Sequence, residues 1–500
     1  MKINKNIKES ECFNLMNNYK KEWLYNVKGD ILSSMLVAIA LIPEAIGFSI
    51  LAGVNPMVGL YASFLISIIT AIAGATPGMI SAATGAMALI FVSLVKNYGI
   101  DYLFIATILT GIIQILLGFF NFSYIMRFIP RSVMTGFVNS LAILIFGAQL
   151  PHFKGASMQM YLLVAVGLLI IYLLPKFSDK IPSALVAIIA LSAFTILTNS
   201  DVKTVGDMGE LTTALPKFYI PFELINMETL KIVLPYSISL AVVGLLESLL
   251  TSSIICDMNE LKVNSNRECV GQGLANIVTG MFGGMAGCAM LGQSLINVTS
   301  GGKKRLSSLL AGVFLIVLIF LLNPFVTRIP IAALVAVMVV VSINTFEWES
   351  LKNLKTMPVA DSLVMIITII SVVFTHNLAK GVFVGILISK LIFVAKISKI
   401  NVDSNLSDCK TKRDYIVSGQ VFFASVMDFV NHFDYKEDVK EVNIDFSNAK
   451  VWDDSAVGAI DKIIDRYKNK DIKVNINGLN DECKNLIKNL TVHPCLKKTA

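Results

Sequence analysis

MFGGMAGCAMLGQSLINVTSGG, residues 281–302, is the stretch whose reading decides the fold. It opens with Gly283, Gly284 and Gly287 and closes at Gly301-Gly302, just before the basic triplet Lys303-Lys304-Arg305. The apolar part from Cys288 to Val298 is about half of the roughly 20 residues that a membrane crossing needs. A short, Gly-interrupted helix inside a membrane chain begins deep within protein, where its first N–H groups lack helical partners. Those groups carry partial positive charge and bind anions. A partner stretch lies upstream: GATPGMISAATGAMA, residues 74–88, is Gly/Ala-rich, broken by Pro77-Gly78, and followed by an apolar run to Val95. Two interrupted segments in corresponding positions of two halves point to a transporter site. The competing reading makes both of them small-residue faces for helix packing.

The rest of the chain supplies those halves. Of its 500 residues 55% are hydrophobic and only 15% charged, below the quarter usual in soluble domains. This is the composition of a polytopic membrane protein, and the lipid bilayer is its first partner. The first 30 residues are polar, without the apolar region of a signal peptide. The net charge of +7 calls for no nucleic acid, because Lys and Arg sit in short loops where they set orientation. The cysteines number seven, with no CxxC, and the four histidines are scattered. Neither a disulfide framework nor a resident metal is expected, and no cofactor.

After a polar tail at residues 1–28, apolar spans are expected at about 31–53, 57–74, 80–95, 102–120, 129–149, 158–174 and 182–198. A polar linker, 199–229, separates these from a second set at 232–256, 268–282, 286–299, 306–323, 329–344, 361–376 and 379–397. With the N-terminus inside, the basic loops (Arg127 and Arg131; Lys176 and Lys180; Lys303 to Arg305; Lys352 and Lys355) all fall inside. Fourteen crossings with both termini cytoplasmic satisfy the tally. Seven spans per half is odd, so the halves have opposite topology: an inverted repeat over about 29–198 and 230–398, within a transmembrane domain at 29–398. From residue 403 to 500 the composition is that of a soluble domain. Strands at 415–423, 442–446 and 472–476 alternate with helices at 455–468 and 480–490, giving a small α/β domain.

Two acids lie well inside the apolar spans, away from their ends. Glu247, in LAVVGLLESLLTSSII, is flanked by Ser248, with Thr251 one turn on. A carboxylate at membrane depth marks function, and with neighbouring hydroxyls it suits H⁺ or Na⁺. Its rival role is a structural acid hydrogen-bonded to another helix. Glu44 follows Pro43, which interrupts helix bonding; it is either a second coupling group or a cap on broken backbone. Gln293 sits near the start of the second half-helix, as a donor to a bound oxyanion or as interhelical glue. An anion beside ionised Glu247 is repelled unless a proton or cation joins it, and such positive coupling is symport.

At these residues the chain resembles the sulfate permease (SulP) family of anion transporters with a C-terminal STAS domain. LIPEAIGFSILAGVNPMVGLYASF (41–64) is similar to the family's first-span signature, with Glu44 where Gln is usual. Segments 81–88 and 283–296 resemble its two half-helices. VGLLESLLTS (243–252) resembles its eighth span, most of all in the sodium-dependent bicarbonate transporters. The resemblance implies a core domain (spans 1–4 and 8–11) moving against a gate domain (spans 5–7 and 12–14). It implies an anion between the N-termini of spans three and ten, at Gly85, Ala86, Met87, Ala289, Met290, Gly292 and Gln293. It also implies a coupling cation at Glu247 and Thr251. Many relatives have arginine where Gln293 stands, a departure that favours a monovalent anion. VWDDSAVGAI (451–460) resembles the phosphorylated loop of anti-sigma-factor antagonists, with Ser455 at the regulatory serine; its rival role is to cap the following helix.

The expectation is a secondary active transporter of a small inorganic anion of the sulfate or bicarbonate class. It works in the cytoplasmic membrane by H⁺- or Na⁺-coupled symport and alternating access. By resemblance it is a homodimer, with a cytoplasmic partner for the STAS domain. An anion channel or uniporter and a STAS-linked sensor are the rivals from other classes. A nucleobase permease would carry a second acid at the start of span ten, which is absent. No nucleophile–base constellation or phosphate loop suggests an enzyme.

Overall fold

The computed structural model describes residues 22–121, 124, 128–177, 182–198, 200, 202–209, 214–224, 226–407, 411–436 and 439–491. The tail expected at 1–28 lies outside the described residues as far as residue 21, as do Arg127 and Lys180. The chain divides into two compact units, one ending at Ile386 and one starting at Leu387.

In the first half, α1 (Val27–Ala52), α2 (Pro56–Ala73), α3 (Gly85–Tyr98), α4 (Ile100–Phe119), α5 (Arg131–Gln149), α6 (Met158–Leu173) and α7 (Ser183–Leu197) follow in order. The second half repeats the series with α8 (Met227–Asn259), α9 (Ser265–Met281), α10 (Leu291–Thr299), α11 (Arg305–Val326), α12 (Ile331–Thr345), α13 (Val359–Thr375) and α14 (Leu378–Ile397). Each helix coincides with one expected apolar span, because runs of apolar residues ended by Gly, Pro and polar caps have no other way to satisfy their backbone in lipid. The boundary between α1 and α2 is an example. Gly53 ends α1 at φ +78°, Asn55 caps α2 by accepting from the Met57 N–H, and Pro56 takes the first helical position.

Among the described residues eight helices are long and apolar enough to cross a membrane, or nine if α12 and the short helix after it form one span bent by 46°. The half-helices α3 and α10 are short for a different reason. A three-residue strand precedes each, β1 (Ser81–Ala83) and β2 (Gly287–Ala289), and the two strands pair antiparallel. These strands take up depth that a full helix would have used, and the sequence reading had placed them inside the spans.

The helices pack in two groups. α9 packs on α4, α2 and α8, and α11 packs on α1 and α2. α12 packs on α5 and α6, and α13 packs on α5. Glycines set the closest approaches: a Cβ on Gly111 of α4 would lie 2.3 Å from the Gly273 carbonyl of α9, and one on Gly273 would lie 2.6 Å from the Gly111 carbonyl. The groups meet where α1 touches α12 and α3 touches α5. There Ile331 to Val340 of α12 are all buried, and all but Met338 join one cluster with Leu41, Ile42 and Ala45 of α1 and Leu163 and Val164 of α6.

The second unit holds a four-stranded sheet in the order β3 (Asn401–Leu406), β4 (Lys412–Val421), β5 (Glu441–Val451), β6 (Lys473–Asn477). β3 runs antiparallel to β4, and the other pairs are parallel. α15 (Val426–Asn431) lies between β4 and β5 in the chain, α16 (Asp454–Lys468) between β5 and β6, and α17 (Asp481–Leu490) follows. The core beneath is built on Tyr415, Val417, Phe429, Ile444, Phe446, Ile460 and Tyr467. β3 and α15 were not expected. β3 is exposed along almost its whole length, so it lacks the apolar alternation that announces a strand.

Candidate functional site

The paired strands carry the site. Ser81, Ala82 and Ala83 lie opposite Ala289, Cys288 and Gly287. Small side chains allow this pairing in the midst of packed helices. The ladder ends in two helix N-termini, at Thr84 and Met290, and neither receives a side-chain cap. The first helical bonds run from Ala88 N–H to the Thr84 carbonyl (3.0 Å) and from Ser294 N–H to the Met290 carbonyl (2.9 Å). The N–H groups of residues 85–87 and 291–293 therefore precede the helical ladder, and each terminus bears roughly half a positive charge.

Both termini open on one cavity of about 350 Å³. Thr84 and Gly85 line it from α3's side and Met290 to Gln293 from α10's. Glu44 and Phe48 come from α1, Phe137 and Leu141 from α5, Glu247 and Thr251 from α8, and Val341, Asn344 and Thr345 from α12. Both acids thus enter the same space. Glu44 Oε1 accepts from Gln293 Nε2 at 2.9 Å. Glu247 Oε2 accepts from the Cys288 thiol at 3.0 Å, and that sulfur lies 3.2 Å from the Thr84 hydroxyl. Glu44 Oε2, Gln293 Oε1 and Thr251 Oγ1 are buried without a hydrogen-bond partner. Unpartnered oxygens of this kind call for an explanation. No lysine, arginine or histidine is among the lining residues.

Glu44, Gly85, Glu247, Thr251, Met290, Gly292 and Gln293 thus come together at the cavity. Ala86 and Met87 are fully buried in the first turn of α3 and do not line it. Ala289 N–H is taken by Ser248 Oγ (3.0 Å) and Met290 N–H by the Ile80 carbonyl (2.8 Å). Ser248 therefore braces β2, and the donors on this side begin at Leu291, which the sequence reading passed over. Asn344 and Thr345 were missed as well. Their signal was legible: with Ser342 they are the polar residues at the end of an α12 that is apolar from Ile331 to Val341.

Ser455, in the other unit, is exposed in the first turn of α16. It does not cap that helix. Asp453 does, accepting from Ala456 N–H at 2.9 Å, while its other oxygen accepts from Phe423 N–H at 2.8 Å. A carboxylate at this position caps as well as a hydroxyl and also suits the helix dipole.

The family model for the sulfate permease family matches residues 27–161 and 156–368, and that for the STAS domain matches 411–499. A Bacillus subtilis (strain 168) protein named "Putative sulfate transporter YbaR" is 57% identical over 471 residues, covering 94% of this chain and 98% of the relative. The bicarbonate transporter BicA of Picosynechococcus is 24% identical, covering 79% and 76%. Among solved structures, the murine solute carrier 26 member A9 anion transporter in the inward-facing state is similar at a TM-score of 0.80. It is 17% identical, with 94% of this chain and 88% of that one covered. The transmembrane domain of a cyanobacterial BicA is similar at a TM-score of 0.64 and 24% identity, covering 73% and 98%.

Proposed function

Because the chain belongs to the sulfate permease family, we propose that it carries a small inorganic oxyanion across the cytoplasmic membrane by symport with H⁺ or Na⁺. The family is one of sulfate- and bicarbonate-type anion transporters, so this multi-pass membrane protein is a transporter and not an enzyme. The single observation that carries the finer reading is the cavity. It receives two uncapped helix N-termini, two carboxylates and three unpartnered buried oxygens, and no cationic side chain.

The anion sits against the N–H groups at Gly85 and at Leu291 to Gln293. Two helix ends supply about one positive charge between them, which suits a monovalent anion such as bicarbonate better than sulfate. Glu247, Thr251 and Glu44 offer oxygens to the coupling ion. Whichever ion binds, it offsets the repulsion between carboxylate and anion, and this links the two binding events. Access alternates. The buried stretch of α12 from Ile331 to Val340 packs on α1 next to Val341, Asn344 and Thr345, which line the cavity, and movement of the α5–α6–α12–α13 group against the rest opens that contact and closes the other side. Both termini are cytoplasmic, the protein acts as a dimer, and the STAS domain docks a cytoplasmic partner.

The test is uptake of labelled bicarbonate and of sulfate into proteoliposomes under an imposed H⁺ or Na⁺ gradient, with wild type and Glu247→Gln. Gradient-driven uptake should appear in the wild type and be lost in the variant. Uptake that ignores both gradients and survives the substitution would make the protein a uniporter or channel and Glu247 a structural acid.

A further inference from the structure

Two charged side chains that the transport reading leaves unused, Glu268 and Arg305, are almost wholly buried, at 1% and 4% exposed. Both belong to the second half, near the starts of α9 and α11. Both reach across to one stretch of the first half, residues 71–76, where α2 ends and the chain turns toward β1. Glu268 Oε2 accepts from Ala75 N–H (2.7 Å), Thr76 N–H (2.9 Å) and the Thr76 hydroxyl (3.0 Å). Arg305 takes the opposite partners of the same backbone. Its Nη1 donates to the Ala71 and Gly74 carbonyls (3.0 and 2.8 Å) and its Nη2 to the Ala75 carbonyl (3.3 Å). The acid holds the donors and the base holds the acceptors of one backbone stretch, and Arg305 Nε also pairs with the half-exposed Glu22 carboxylate at 3.2 Å.

The grip is continuous with the site. Gln272 Nε2 joins Glu268 Oε1 (3.2 Å) to the Ser81 hydroxyl (2.7 Å), which is on β1. Ser294 of α10 reaches the same run, its hydroxyl accepting from Ile80 N–H at 2.9 Å. Two residues beyond β1 stands Gly85, which lines the cavity. A hydrogen-bond donor is effective only within a fraction of an ångström of its place.

We propose that Glu268 and Arg305 are positioning residues for anion binding, holding residues 71–76 so that β1 and the N-terminus of α3 aim at the cavity. Neither lines it. The proposal rests on the transport reading for its effect on affinity, and on geometry alone for its effect on the backbone.

The experiment uses the full-length protein with Glu268→Gln and, separately, Arg305→Lys. Glu268→Gln keeps size but puts an amide donor where only donors arrive. Arg305→Lys keeps charge, but one ammonium cannot reproduce a fork that serves three carbonyls. Bicarbonate and sulfate uptake would be measured in proteoliposomes and hydrogen–deuterium exchange in detergent. The expected result is a KM raised about tenfold or more, with the maximal rate per folded protein reduced less than about threefold. Exchange should quicken at 75–88 and stay unchanged in the middles of α9 and α11. Should either variant fold poorly, Thr76→Val removes one arm of the grip and should move KM in the same direction by about two- to threefold. Quickened exchange with an unchanged KM, or a loss of folded protein with normal uptake per molecule, would overturn the proposal. If the wild type takes up neither anion, the transport reading fails, and unchanged exchange at 75–88 would then overturn the grip itself.

Discussion

The loop at 74–80, which leads into β1, is held by a buried acid and a buried base that reach it from another part of the sequence. The loop at 282–286, which leads into β2, is held by close packing and neutral amides. Gly283 turns at φ +74°, and a Cβ on Gly284 would lie 2.5 Å from the Thr279 methyl. Asn276 brackets Gly287, donating to its carbonyl (3.1 Å) and accepting from its N–H (2.9 Å), and it also donates to Gln114 (2.8 Å). Counted from the helix starts, as Glu268 and Arg305 are the fourth residue of α9 and the first of α11, the fourth residue of α2 is Gly59 and the first of α4 is Ile100, neither of them charged. The two strand–half-helix segments are held by different chemistry. One crossing is fixed by directional bonds to charge, the other by the absence of room to move.

That contrast can be broken or sharpened by substitution. The largest effect is expected at Gly287→Ala, whose Cβ would sit 2.1 Å from the Ala82 carbonyl on the opposing strand. The ladder must spread, and because the clash is with backbone the cost should exceed the usual ~1–3 kcal/mol of overpacking. Uptake should vanish and the unfolding midpoint fall, as read by proteoliposome flux and thermal denaturation. Next comes Asn276→Ala, which strands three buried partners and should cost about 3 kcal/mol in thermal or denaturant unfolding. A loss under ~1 kcal/mol would mean that packing alone holds the second crossing. Ser248→Ala removes the partner of Ala289 N–H and should cost about 1 kcal/mol. KM should rise about two- to threefold, with the ratio of coupling ions to anions unchanged; a changed ratio would move Ser248 into the ion site. Smallest is Glu22→Gln, which removes the outer end of the Arg305 system. Glu22 lies 3.2 Å from Arg305 and is 55% exposed, so under ~0.5 kcal/mol is expected, vanishing in high salt.

Much of this was legible in the sequence because the bilayer enforces it. Long apolar runs became helices, Gly-rich breaks became half-helices, and Glu247, the one acid in the apolar stretch of α8, reached the cavity. What escaped notice lacked a periodic signal. β1 and β2 are too short for alternation, and their small residues read equally well as helix-packing faces. Arg305 looked like one more loop cation, since a sequence does not show that a basic triplet turns one member inward. Glu268 sat at the start of an expected span and passed for a boundary charge. Leu291 escaped because its backbone N–H, and not its side chain, is what it offers, and Asp453 because a serine two residues on drew attention from it.

The ladder between Ser81–Ala83 and Gly287–Ala289 has a further consequence. Because it ties the starts of α3 and α10 together, neither can swing without the other, and the donors travel as a single cradle. On the function proposed above, an anion resting there would have the same donors whichever compartment it came from. A difference in affinity between the two faces of the membrane must then arise from the walls that close over the cradle, chiefly α5 and α12, and the direction of net flux from the gradients alone.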